Sequence, residues 1–150
     1  MEARMNHPVM VVPDAMKAHY ALGESVHTTG LANGIIDMVN LRVSQINGCS
    51  VCVEMHARDM KKAGESDERI FGVAAWRDTP YFTDAERAAL ALAETLTRLS
   101  DRPDAVTDEI WEEAADNFSE VALAGLLLSI AQINVWNRLN AATRQVAGAW

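Results

Sequence analysis

The chain has 150 residues, 49% of them apolar, and a formal net charge of −8. That length fits a single domain over residues 1–150 with a sizeable core. The negative charge argues against nucleic acid, which needs clustered Lys and Arg to displace counterions, and against docking on an anionic membrane surface.

Met1 to Pro13 carries no apolar core of an export signal. The most apolar stretch, Leu126 to Trp136, is interrupted by Gln132 and Asn134 and reads as too short to span a bilayer. A cytoplasmic protein is the expectation. In that compartment two closely spaced thiols are redox-active or metal-binding more often than a permanent staple.

No segment alternates apolar and polar residues as a half-buried strand would, so the predicted fold is all-α. Asp14 caps a first helix over about Ala15 to Thr28, and Gly30 stops it. His19 and His27 lie in this segment and read as surface or partly packed histidines. Asn33-Gly34 opens a second helix to Ile46. Ile35, Met38, Val39 and Ile46 form one stripe on it, which Arg42 interrupts. Asn47-Gly48 ends it, because both residues tolerate the left-handed conformation. The next helix begins at Cys49 or Ser50 and ends near Ala63, with Lys61-Lys62 at the negative end of its dipole.

Ser66 or Asp67 caps a short helix through Trp76, broken at Thr79-Pro80. Thr83-Asp84-Ala85-Glu86 is a capping box that opens a helix to about Leu99. Thr107 caps a brief helix through Ala114. Ser119 starts the longest one, from Glu120 to about Val146. The middle of this last helix is apolar on nearly every side, which predicts the central helix of a bundle or a subunit interface. Trp76, Trp111, Trp136 and Tyr81 read as core or interface residues.

The chemistry concentrates in Ile46-Asn47-Gly48-Cys49-Ser50-Val51-Cys52-Val53-Glu54-Met55-His56. On a helix, Cys49 and Cys52 are one turn apart, a separation that suits a disulfide. His56 falls on the same face, one turn past Cys52. The positive end of the helix dipole stabilises a thiolate, and an imidazole carries protons. Together these supply an attacking thiol, a resolving thiol and an acid/base. Zinc is the competing reading, with Cys49, Cys52 and His56 as three ligands and a fourth from His7, His19, His27 or a carboxylate. A pair of inert, buried helix cysteines beside a satisfied histidine is the third.

The segment from Ser44 to His56 resembles the core of the alkylhydroperoxidase D-like proteins, within the carboxymuconolactone decarboxylase superfamily. The likeness continues through Lys62-Ala63-Gly64-Glu65, Ala75-Trp76-Arg77, Glu86-Arg87-Ala88-Ala89-Leu90-Ala91 and Ile133-Asn134-Val135-Trp136-Asn137-Arg138, and covers about Pro13 to Arg144. The resemblance implies an all-helical, AhpD-like bundle assembled as a homo-oligomer, a trimer or hexamer. It implies a thiol peroxidase of the alkyl hydroperoxide reductase type that needs no cofactor and no metal. Its partners would be a hydroperoxide and a protein or small-thiol reductant. Cys49 and Cys52 would cycle between dithiol and disulfide, with His56 and an acid twelve residues before the first cysteine relaying protons. That acid is Asp37 here, one methylene shorter than the family's usual Glu. Val51 stands where alkylhydroperoxidase D itself has a further histidine. Decarboxylases of the superfamily lack the cysteine pair, so its presence argues against lactone decarboxylation. Cys52 is the expected attacking thiol because His56 lies one turn along, although Cys49 is nearer the helix N-terminus. The alternative activity is a redox sensor or disulfide reductase with little peroxidase turnover.

Overall fold

A computed structural model describes residues 1–149. The described residues contain helices and no strand. The α-helices are α1 (Pro8–Val11), α2 (Pro13–His27), α3 (Asn33–Asn47), α4 (Ser50–Lys62), α5 (Asp67–Gly72), α6 (Asp84–Thr97), α7 (Asp108–Asn117) and α8 (Glu120–Thr143), with 3-10 turns at Val73–Asp78 and Leu99–Asp101.

Most helix ends form where their local chemistry places them. Gly48 is left-handed, with φ 68°, and ends α3. The Thr83–Glu86 capping box opens α6 with both reciprocal bonds made. The Ser119 hydroxyl accepts from the Ala122 N–H at the start of α8. α2 starts earlier than expected because Pro13 occupies its first turn, so Asp14 lies inside the helix rather than capping it. α1 was not anticipated; a four-residue turn beginning at a proline carries no periodic signal.

α3 is the centre of the bundle and packs against α4, α6 and α8. Its expected single stripe is too narrow. Ile36, Met38, Val39, Leu41 and Val43 are all buried, because neighbours cover α3 on more than one side. Arg42 interrupts the stripe for a reason: its guanidinium sits 2.5 Å from Glu94 on α6. Burial alone would raise the Glu94 carboxyl, but hydrogen bonds from Arg77, Trp76 and Arg42 hold it below the ordinary range.

α8 is not covered all round. Leu126, Ile130 and Ile133 are buried, while Val121, Leu128 and Val135 are 60%, 41% and 40% exposed. Its buried side carries Ser129, Asn137 and Asn140 as well as apolar residues. Asn137 donates to Ser44 at 3.1 Å and accepts from Asn47 at 2.9 Å, while Ser129 donates to Asn40 at 3.1 Å. Each such bond contributes about 1 kcal/mol net, and leaving a partner unmade costs more. The apolar stretch Leu126 to Trp136 lies inside α8, whose 24 residues would be long and apolar enough to cross a bilayer by length and composition alone. In the fold its polar residues bond to α3, which is how a core helix is held.

Trp76 is buried, but Trp111 and Tyr81 are each 44% exposed and belong to no core within this chain. Close approach replaces side-chain bulk at Gly125, where an added Cβ would sit 2.3 Å from the Thr29 hydroxyl.

Candidate active site

The turn between α3 and α4 positions the two cysteines. Left-handed Gly48 reverses the chain, and the Cys49 N–H donates to the Ser44 carbonyl at 3.0 Å. Cys49 then becomes the N-cap of α4 rather than part of its first turn, and its sulfur accepts from the Cys52 N–H at 3.3 Å. Cys49 and Cys52 are joined by a disulfide, with Cα atoms 5.4 Å apart. Both are almost fully buried, at 3% and 1% exposure.

The two sulfurs have different surroundings. Cys52 lines a cleft of about 650 Å³ between α2, α3, α4 and α8; Cys49 does not. That volume suits a small organic molecule. Met16, Ile36, Val51, Ile133 and Trp136 give the cleft apolar walls. Asn140 of α8 donates from Nδ2 to Cys52 Sγ at 3.2 Å.

His56 and Asp37 line the same cleft. Burial pulls the His56 imidazole down to about 4, against the opposing pull of the Asp59 carboxylate. The ring is therefore neutral near pH 7. Neither of its nitrogens has a hydrogen-bond partner in the protein. Burial, and then the charge of Asp59, hold the Asp37 carboxyl above its ordinary range, with His27 opposing. The fold thus brings Cys52, His56 and Asp37 to one cavity, with Cys49 bonded behind it, but no hydrogen bond links Asp37 to His56.

Several cleft residues went unrecognised in the sequence. Asp59 sits one turn beyond His56 on α4, and that spacing was the available signal. His19, partly buried, and His27, exposed as expected, stand at the rim of the cleft and line it. The His19 ring centroid is 5.1 Å from that of Trp136, and His27 Nδ1 is 2.9 Å from Asn33 Oδ1. Asn140 left no signal, being separated from Cys52 by 88 residues. Among the described residues no three His, Cys, Asp or Glu side chains group as metal ligands.

The chain is thus a helical bundle with a disulfide-bonded CxxC pair at the start of one helix, of which Cys52 faces an apolar cleft. The carboxymuconolactone decarboxylase family matches residues 13–95, and the chain belongs to that family. It is 32% identical to the uncharacterized protein YdfG of Bacillus subtilis over 132 residues, 88% of each chain. The solved structure of ATU0492 from Agrobacterium tumefaciens, a protein of unknown function described as an AhpD antioxidant defence protein, is 31% identical. It superposes with a TM-score of 0.90 over 99% of this chain and 100% of its own. The debrominase Bmp8 shares the fold, with a TM-score of 0.82 and 22% identity over 94% of this chain and 75% of that one.

Proposed function

We propose that the protein is a thiol peroxidase that reduces organic hydroperoxides with the Cys49–Cys52 pair. The observation that carries this reading is the position of Cys52. It is half of a redox-capable pair and the half that lines the cleft shared with His56. In the reduced protein the Cys52 thiolate attacks the terminal oxygen of the hydroperoxide. The S–O bond forms and the O–O bond breaks, leaving a sulfenic acid on Cys52 and an alkoxide. The alkoxide takes the proton that Cys52 gave up. The Cys49 thiol then displaces water from the sulfenic acid and closes the disulfide. An external protein or small thiol returns the pair to the dithiol by exchange.

His56 is neutral at working pH and serves as the base that takes the Cys52 proton. The Cys52 thiolate then offsets the cost of the buried imidazolium. Asp37, which lines the same cleft and whose carboxyl is raised by burial and by the charge of Asp59, relays the proton held on His56 to the leaving alkoxide. A reducing compartment such as the cytoplasm suits this cycle.

The test is turnover. Wild-type protein with a thiol reductant is expected to consume an organic hydroperoxide saturably, and absence of consumption across a panel of hydroperoxides and reductants overturns the reading. The near-complete burial of both sulfurs favours a second reading, a redox sensor or disulfide reductase. That protein would lose its thiols to peroxide once, or exchange with disulfides, without sustained peroxide consumption. The fold does not choose between such activities, since a debrominase also has it.

We also infer a homo-oligomer, a trimer or hexamer. Val121, Leu128 and Val135 recur every seven residues along α8 and stay exposed in the single chain. Sedimentation at micromolar concentration should show an assembly, and a monomer there contradicts the inference.

A further inference from the structure

Asn140 reaches the site from the last turns of α8 and is 6% exposed. Its Nδ2 donates to Cys52 Sγ at 3.2 Å, while its Oδ1 is buried without a hydrogen-bond partner. The other asparagines on this side of α8 leave no such atom. Asn134 and Asn137 each accept from Asn47 and donate elsewhere. An unpaired buried acceptor is unfavourable, and in a cleft wall it is a place for a ligand donor. His56 makes no hydrogen bond to either sulfur, so the Asn140 amide is the side chain that donates to Cys52 among the described residues.

We propose that Asn140 is a further catalytic residue: Nδ2 stabilises the Cys52 thiolate, and Oδ1 accepts the O–H of the incoming hydroperoxide. The second half rests on the peroxidase reading; the first does not. One planar amide then touches both reactants. The N–H end faces the sulfur, where negative charge resides before attack. The carbonyl end holds the terminal O–H and so presents the oxygen that Cys52 must attack. During the step the sulfur donates an electron pair to that oxygen and the O–O pair departs with the alkoxide. The O–H stays with the oxygen, now on the sulfenic acid, and Oδ1 keeps its donor throughout.

Two measurements on the full-length reduced protein test this. The first is the pH dependence of Cys52 alkylation by iodoacetamide, located by peptide mass spectrometry. In Asn140→Leu the midpoint should rise by about one pH unit, a tenfold loss of thiolate below it. The second compares the single-turnover reaction with cumene hydroperoxide and with a neutral aromatic disulfide, which has no O–H to give. Asn140→Leu should slow the hydroperoxide at least about tenfold more than the disulfide. Asn140→Ser, too short to reach the sulfur, replaces the Leu variant if that one fails to fold.

An unchanged alkylation midpoint in a folded variant overturns the thiolate half. Equal slowing of both oxidants overturns the Oδ1 half. If wild type ignores every hydroperoxide, the peroxidase reading and the Oδ1 half fall together, while alkylation still decides the Nδ2 half.

Discussion

Cys52→Ser is expected to abolish hydroperoxide turnover, with a loss of at least about 10³-fold, because a serine hydroxyl gives essentially no anion at neutral pH. Cys49→Ser is expected to fail differently. Cys52 would still attack once and form the sulfenic acid, but no neighbouring thiol would resolve it. A dimedone-type trap should therefore label Cys52 in the Cys49→Ser protein after one equivalent of hydroperoxide, and steady-state consumption should stop near that equivalent. The asymmetry follows from the surroundings. Cys52 lines the cleft and receives the Asn140 amide, while Cys49 caps α4 and does not reach the cleft. Trapping on Cys49 in the Cys52→Ser protein, with none in the reverse variant, would exchange the two roles.

His56→Leu is expected to lower turnover near neutral pH by about 10²- to 10⁴-fold, the usual range for a lost acid/base group. The same substitution should change the pH dependence of stability. Burial lowers the folded His56 value from 6.5 to about 4. Between those two values the unfolded chain binds a proton that the folded protein refuses. Stability is thus full above the unfolded value and falls as pH drops toward the folded one. By pH 5 the loss attributable to this one group is about 2 kcal/mol relative to pH 7. Urea unfolding at the two pH values should show that difference in wild type and a difference smaller by about that amount in His56→Leu. His7, whose imidazole is also lowered by burial and then by His19, keeps part of the slope in both proteins. An unchanged slope in His56→Leu would show that the imidazole does not titrate as a buried group.

The parts of this site legible in the sequence are those held by local geometry. Cys49, Cys52 and His56 share one helical face through spacing alone, and Asn47-Gly48 marks the turn that puts Cys49 at the helix start. Capping chemistry located α6 and α8 for the same reason. Asp37 entered only through resemblance, since an isolated aspartate on an amphipathic helix has no signature of its own. Asn140, His19 and Trp136 meet the site through the docking of α2 and α8, which no short-range pattern encodes. α8 shows the converse failure. Its composition reads as buried all round, yet a single chain leaves Val121, Leu128 and Val135 uncovered. Hydrophobicity states that a face wants a partner without stating whether that partner is in the same chain.

The most direct test of the central claim is a single-turnover titration of the fully reduced wild-type protein with cumene hydroperoxide, reading thiols, alcohol product and disulfide together. One equivalent of peroxide is expected to remove two thiols per chain, yield one equivalent of cumyl alcohol, and produce a Cys49–Cys52 disulfide identified by peptide mass spectrometry. Retention of both thiols with the peroxide intact, or alcohol formed while the thiols persist, would contradict the claim.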